Sequence, residues 1–149
     1  MTQAFFRAVV LCGLLAAVGP NQPVVGQVPS KQKVVVHLSH YTDNLHAAKM
    51  ALGLASRMQA MGAEVTLLLD LEGVRLASRK DPQDLVWGMG EPIGKTYETF
   101  VKLGGKVLLC PHCAHHAGIA PGDLRAGARI GKEDELASVI LAAAKVLDY

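Results

Sequence analysis

The fold is decided by residues 33–70, which read KVVVHLSHYTDNLHAAKMALGLASRMQAMGAEVTLLLD. The stretch begins and ends with short apolar runs, KVVVHL and EVTLLLD, which are typical of strands buried on both faces. Between them apolar residues recur at helical spacing, with Thr42 or Asp43 as the predicted N-cap and Gly62 as the predicted glycine after the helix. A strand–helix–strand unit of this length predicts two parallel strands joined by a right-handed crossover.

The same alternation of strands and helices continues toward the C-terminus. The predicted elements are a helix at residues 93–101, a third strand at 106–110, at most a short helix within 114–127, a small fourth strand at 128–130 and a final amphipathic helix over 136–147. Together they predict a single α/β domain over residues 33–149. Its core is an open, flavodoxin-like parallel sheet with helices on both faces.

Composition limits the classes of function that remain. A chain of 149 residues fits one compact domain, and its 50% hydrophobic content is too high for a disordered chain. The 15 Lys and Arg residues are nearly balanced by 13 Asp and Glu, so the net charge is only +2. Aromatic residues are 5% of the chain, too few for base-stacking platforms. We therefore expect no nucleic-acid partner.

The N-terminal segment has a different composition. Residues 8–19, AVVLCGLLAAVG, form an apolar run behind the single charge of Arg7. The run is too short to span a bilayer but has the length of a signal-peptide core. We predict a signal peptide over about residues 1–26 and a linker over 27–32, hence a secreted or periplasmic protein without a membrane span once the signal is removed. The alternative is an uncleaved N-terminal anchor.

The residues that carry chemistry are 110–116, CPHCAHH, which bring two thiols and three imidazoles together at the end of the predicted third strand. In open α/β sheets ligands bind at this edge. Removal of the signal peptide leaves Cys110 and Cys113 as the cysteines of the chain. Since the thiolate is the reactive form of cysteine, one interpretation is that Cys110 is a nucleophile or sulfur carrier and Cys113 its resolving partner.

Three other interpretations stay open. The two thiols could bind a soft metal, copper(I) or zinc, with further ligands from the nearby imidazoles. The six candidate metal ligands are Cys110, Cys113, His40, His112, His115 and His116. Thioredoxin-like exchange is disfavoured, because the motif comes late in the chain and glycines interrupt the helix that would follow it. In an oxidising compartment the cysteines could also form an inert structural disulfide.

Three residues near the other strand ends have weaker signals. His37 alternates with buried residues and is predicted to be a hydrogen-bonded core histidine. Asp70 ends the second strand and is typical of a turn or cap residue. His40 lies in the loop after the first strand and would face Cys110 if the first and third strands were neighbours.

The chain resembles the DsrE/DsrF-like family of small sulfur-handling proteins. The resemblance covers residues 33–149 and rests on four segments: KVVVHLSHYTDN, AEVTLLLDLEGVRLA, GGKVLLCPHCAHHAGI and DELASVILAAAKVLDY. It implies a flavodoxin-like sheet, assembly into homotrimers or homohexamers, and a persulfide carried on a cysteine after a late strand, the position that Cys110 matches. A sulfur-donor protein or a small sulfur compound is then the expected partner. The predicted export, Cys113 and the histidine cluster depart from the family's cytoplasmic sulfur relays.

Overall fold

The computed structural model describes residues 32–149. The predicted signal peptide and residues 27–31 of the linker lie outside the described residues. The elements are β1 Lys33–Leu38, α1 Leu45–Ala60, β2 Glu64–Leu69, a 3₁₀ helix Leu71–Ala77, α2 Ile93–Lys102, β3 Lys106–Leu109, α3 Pro111–His116, a second 3₁₀ helix Pro121–Asp123, β4 Ala128–Ile130, α4 Glu133–Leu141 and β5 Lys145–Asp148. Within residues 32–149, no helix is long and apolar enough to cross a membrane.

The five strands form one parallel sheet in the order β4-β3-β2-β1-β5. β1 and β2 pair over their whole length, from Lys33 opposite Glu64 to Leu38 opposite Leu69. The first three connections each step to the next strand in one direction, whereas the connection from β4 to β5 returns across the sheet. The prediction of a single-domain, open parallel α/β sheet is confirmed.

The strand sequences alternate between the two faces of the sheet, and both faces are covered. Val34, Val36 and Leu38 point toward the core formed with α1 and α2. Val35 points the other way and is buried with Leu68 and Leu108 beneath α4. Right-handed crossovers that step in opposite directions place their helices on opposite faces. This geometry explains why β1 and β2 are apolar on both sides.

The larger core lies on the face covered by α1 and α2. Its fully buried side chains include Leu52 from α1 and Tyr97 and Phe100 from α2. Burying each such side chain contributes on the order of 1.5–3 kcal/mol. In contrast, α4 has no buried residue, although Leu136 and Val139 pack partly against the sheet. Packing on the sheet face covered by α1 and α2 therefore contributes more to the stability of the fold than packing on the face covered by α4.

The prediction of one long final helix is wrong. α4 ends at Leu141, and Lys145–Asp148 form β5, so Leu147 lies in a strand. β5 pairs with the edge of β1 that β2 leaves open, and the pairing is continued by the hydrogen bond from the Tyr149 amide to the His37 carbonyl (3.0 Å). The backbone hydrogen bonds that residues 145–148 form with β1 stabilise a strand here more than the helical spacing of the apolar residues favours a helix.

The start of α1 also differs from the prediction. Asn44, and neither Thr42 nor Asp43, caps the helix: its side chain accepts a hydrogen bond from the Ala47 amide at 3.1 Å. Asp43 instead accepts from the Tyr41 amide at 2.8 Å, which stabilises the loop after β1. The glycine predicted at the end of α1 is confirmed, since Gly62 has φ +93°.

The first 3₁₀ helix crosses very close to the end of β1. The Gly73 amide donates a hydrogen bond to the Ser39 carbonyl at 3.1 Å. A Cβ atom at position 73 would lie 2.1 Å from the carbonyl oxygen of Leu38. A glycine is therefore required here for steric reasons, and the contact fixes the loop that leads out of β2.

Candidate functional site

The carboxyl ends of the strands meet at one edge of the sheet. Ser39 follows β1, Asp70 follows β2, Cys110 follows β3 and Asp148 ends β5. The chain leaving β3 runs to α3, which packs on the α1 side, whereas the chain leaving β4 runs to α4 on the opposite face. In open α/β sheets, ligands bind in the crevice where neighbouring connections diverge in this way. Cys110 lies at that crevice.

The structure brings the two predicted thiols together. The amide of Cys110 donates to the Leu69 carbonyl at 2.8 Å, which fixes the start of α3 against the end of β2. Cys113 lies one turn later in α3. Both cysteines are free thiols, and Cys110 is among the groups that raise the pKa of Cys113. The two thiols therefore lie one helical turn apart at the start of α3.

The surroundings of Cys113 favour its protonated form. Burial raises the pKa of the Cys113 thiol, and the contact with Cys110 and the negative charge of Asp70 raise it further. A hydrogen bond from the backbone amide of Leu71 acts in the opposite direction. Because the pKa is raised overall, Cys113 carries its proton at neutral pH and must lose it before it can act as a nucleophile.

A cleft of about 350 Å³ opens beside Cys113, between α3 and the first 3₁₀ helix. Its lining includes Leu71, Arg75, His112, Cys113 and His116. Leu71 has φ +40°, an uncommon value for a residue with a side chain, and its side chain is largely exposed at the rim. The cleft gives a small molecule access to Cys113.

The histidines of the motif have separate partners. His112 Nε2 lies 2.6 Å from Glu133 Oε1, and His40 Nδ1 lies 2.5 Å from Asp43 Oδ2. The rings of His115 and His116 meet edge to face, with 6.0 Å between their centroids. β2 lies between β1 and β3, so the first and third strands are not neighbours. The condition under which His40 would face Cys110 is therefore not met.

The six side chains of the metal hypothesis are not assembled into one site. In the part of the chain that the structure describes, no three His, Cys, Asp or Glu side chains are grouped so that they could hold a metal ion. The arrangement instead provides two adjacent thiols and an open cleft.

His37 and Asp70 belong to this edge, and the sequence did not predict that they contact each other. The His37 ring is a quarter exposed and is not a core side chain: Nδ1 lies 2.7 Å from Asp148 Oδ1 and Nε2 lies 2.9 Å from Asp70 Oδ2. The Ser39 hydroxyl donates to Asp70 Oδ1 at 2.7 Å. Asp70 makes no side-chain hydrogen bond to the 3₁₀ helix that follows, so it is not a cap.

The comparison with protein families decides what kind of chain this is. The model of the DsrE/DsrF-like family matches residues 32–149. The chain belongs to the DsrE/DsrF-like family. No curated protein matches it. For a DsrE-like chain, a sulfur-relay-like function is the general expectation.

Solved structures have the same DsrE-like fold. The crystal structure of the YchN protein from E. coli is 24% identical, with a TM-score of 0.60, and the match covers 80% of this chain and 99% of that one. MTH1491 from Methanobacterium thermoautotrophicum, a protein of unknown function, is 11% identical with a TM-score of 0.61, covering 80% and 100% of the two chains. BT1422 from Bacteroides thetaiotaomicron, a conserved protein of unknown function, is 13% identical with a TM-score of 0.54, covering 79% and 95%. At these identities the likeness shows the fold alone.

Proposed function

We propose that this protein is a sulfur carrier that holds a persulfide on Cys110 and releases the sulfur with the help of Cys113. The observation that supports this proposal most directly is that two free thiols lie one helical turn apart at the carboxyl edge of the sheet, with Cys113 lining an open cleft. Because the pKa of Cys113 is raised, Cys113 is suited to the later step. Cys110 is then the residue that receives the sulfur.

Loading is a transfer of sulfane sulfur from a donor persulfide. The Cys110 thiolate attacks the outer sulfur of the donor, a bond forms between that sulfur and Cys110 Sγ, and the donor leaves as a thiolate. No net oxidation takes place, because one persulfide is exchanged for another. The donor is a sulfur-donor protein or a small sulfur compound that reaches Cys110 through the crevice.

Release uses the second thiol. Cys113 loses its proton and its sulfur attacks Cys110 Sγ, the bond from Cys110 to the outer sulfur breaks, and hydrosulfide leaves. The outer sulfur gains two electrons and the two cysteines lose two, so the products are one sulfide and one Cys110–Cys113 disulfide. The proton from Cys113 balances the charge of the departing sulfide.

The test is the intact mass of the protein after exposure to a small-molecule persulfide. Cys12 is replaced by serine in every variant, so that two thiols remain. The variant Cys113→Ser is expected to gain the mass of one sulfur atom, and the variant Cys110→Ser is expected to gain none. Wild type is expected to pass through the loaded form, then to release hydrogen sulfide and end two hydrogen atoms lighter than the reduced protein as the disulfide forms.

Two results would contradict the carrier function. Loading on Cys113 while Cys110→Ser remains fully competent would reverse the assigned roles. If no donor produced a persulfide and the reduced protein bound one copper(I) ion per chain tightly, a metal-binding function would replace the carrier function. In that case His115→Ala and His116→Ala should also weaken metal binding.

We place this carrier outside the cytoplasm, in the secreted or periplasmic space. The support for this location is the apolar run of residues 8–19 behind Arg7, with the length of a signal-peptide core. N-terminal sequencing of protein from the cell envelope is then expected to begin between Pro20 and Lys31. Recovery of the intact Met1 form from the cytoplasm would contradict this location.

A homotrimer or homohexamer is the proposed assembly, in keeping with the family resemblance. The support from this chain is the apolar surface of α4 and β5, where Leu141 is 86% exposed and Ile140 and Val146 are about half exposed. Since α4 buries no residue within one chain, a second copy packed on this surface would cover it.

Sedimentation at micromolar concentration checks the assembly. Wild type is expected to sediment as a trimer or hexamer, and Leu141→Glu is expected to shift the protein to monomer because it places a charge in the apolar surface. Met89→Glu is the matched control, since Met89 is fully exposed and lies in the loop before α2, the helix that packs on the sheet face opposite α4. A wild type that remained monomeric would contradict the assembly.

A further inference from the structure

A cavity of about 250 Å³ lies between the second half of α2 and the loop that leads into β4. Val101 and Lys102 line it from α2, and Arg125 and Ala126 line it from the loop. None of its lining residues also lines the cleft beside Cys113. The proposed sulfur chemistry therefore gives this cavity no role.

Arg125 is a nearly buried cation in the lining of this cavity. Its side chain is only 10% exposed, and its guanidinium lies over the ring of Tyr97, 4.1 Å from the ring centroid. The guanidinium donates to the side chain of Gln83 and, at 3.1 Å, to the carbonyl of Gly94, and both of these acceptors are uncharged. Among the carboxylates of residues 32–149, that of Glu98 is the one within 4.0 Å, at 3.6 Å.

The charge of Arg125 is only partly balanced. Buried cations are normally paired with a carboxylate in hydrogen-bonding contact, but the 3.6 Å to Glu98 exceeds that distance, and Glu98 also pairs with Lys95. Burial raises the pKa of Tyr97 to about 12, so its phenol adds no negative charge at neutral pH. Arg79 and Lys102 add two further positive charges to the lining. The single carboxylate of the lining therefore leaves an excess of positive charge.

The wall that carries Arg125 is fixed in place. The Tyr97 hydroxyl donates to the Ala126 carbonyl at 3.1 Å. Gly127 has φ +81°, and a Cβ atom there would lie 2.5 Å from Cγ1 of Val101, so the loop packs directly on α2. Because both the guanidinium and the loop are already ordered, little conformational entropy opposes the binding of a ligand.

We propose that this cavity binds a small organic carboxylate. The anionic group lies among the positive charges of Arg79, Lys102 and Arg125, and the apolar body lies against Val101 and Ala126. A guanidinium can donate two parallel hydrogen bonds to one carboxylate, which favours this anion. The ligand must be small, since sites for drug-sized molecules usually enclose about 300–1,000 Å³.

The test uses benzoate as the probe, with binding to the purified protein followed by ligand-observed NMR. Benzamide is the matched neutral probe, because it has almost the same shape. Benzoate is expected to bind at least about tenfold more tightly, since charge-assisted hydrogen bonds are roughly twice as strong as neutral ones. Equal affinities for the two probes would overturn the inference. Inorganic phosphate that displaced benzoate at equal concentration would show a general anion site and would also overturn it.

Variants of the lining locate the bound probe. Arg79→Gln and Lys102→Gln each remove one positive charge and are each expected to weaken benzoate binding by about three- to tenfold. Lys145→Gln is the matched control, since Lys145 is exposed on β5 and does not line the cavity. Glu98→Gln removes the carboxylate that competes for Arg125 and is expected to tighten binding about threefold, a change of the opposite sign that damage to the fold would not produce.

Unchanged binding in both Arg79→Gln and Lys102→Gln, an equal loss in Lys145→Gln, or no gain in Glu98→Gln would overturn the inference. Sedimentation of the same variants distinguishes a free ligand from an acidic group of a second copy. Smaller species in Lys102→Gln, without benzoate binding by wild type, would assign the cavity to a contact between copies and overturn the ligand site. None of these measurements involves a cysteine, so their outcome is independent of the carrier function.

Discussion

Replacing Cys113 with serine is expected to convert a transient Cys110 persulfide into a lasting one. In wild type the two thiols lie one helical turn apart at the start of α3, so release is an intramolecular attack with a high effective concentration. Serine keeps the size of the side chain but is not a nucleophile at neutral pH. The lifetime of the loaded form is expected to increase by at least about 100-fold, measured by intact mass at successive times after removal of the donor.

The sulfide that leaves provides an independent measure of the same step. Wild type is expected to release one sulfide per chain and Cys113→Ser almost none, until a reducing thiol is added. His116→Ala is a suitable control, because His116 lines the same cleft but carries no thiol. If Cys113→Ser lost its persulfide as quickly as wild type, Cys113 would have no part in release.

Gly73→Ala is expected to destabilise the protein by about 3 kcal/mol or more. The added Cβ would lie 2.1 Å from the Leu38 carbonyl oxygen, and the obstacle is backbone that cannot rotate away. The first 3₁₀ helix must therefore move away from β1, and Asp70 and Leu71 move with it. Urea denaturation measures the free energy of unfolding, and the loading assay measures the effect on the site.

Gly53→Ala is the matched control with the opposite expected sign. Gly53 lies within α1, and nothing lies within 4 Å of the Cβ that alanine would add. Alanine in a helix interior is expected to stabilise by roughly 0.5–1 kcal/mol, since it restricts the unfolded chain and favours helix. Equal stability of the two alanine variants would show that the contact between Gly73 and β1 has no steric consequence.

The sequence predicted the central strands well because they are buried on both faces. Continuous apolar runs such as KVVVHL and EVTLLL leave few alternatives, and the observed bounds of β1 and β2 agree with the prediction within one residue. β5 was missed because four residues are too few to show an alternating pattern, and because Leu136, Val139, Ile140, Ala143 and Leu147 also have helical spacing. What makes this segment a strand is the open edge of β1, which no local pattern reports.

The same limit explains which part of the site could be predicted. Cys110 and Cys113 are close in sequence, so their proximity follows from the motif itself. His37 and Asp148 are 111 residues apart, and their contact depends on β5 pairing with β1. The indication in the sequence that Asp70 belongs to the site was its position at the end of a predicted parallel strand. Residues at the carboxyl ends of parallel strands lie along one edge of the sheet.

The pairing of β1 with β5 also constrains when the molecule can fold during synthesis. One edge of β1 pairs with residues 64–69, which emerge from the ribosome soon after it, but the other edge waits for residues 145–148. Contacts between distant segments slow folding, because the intervening chain must be ordered before they form. The sheet, and with it the contact between His37 and Asp148, is therefore completed only after residues 145–148 have been made.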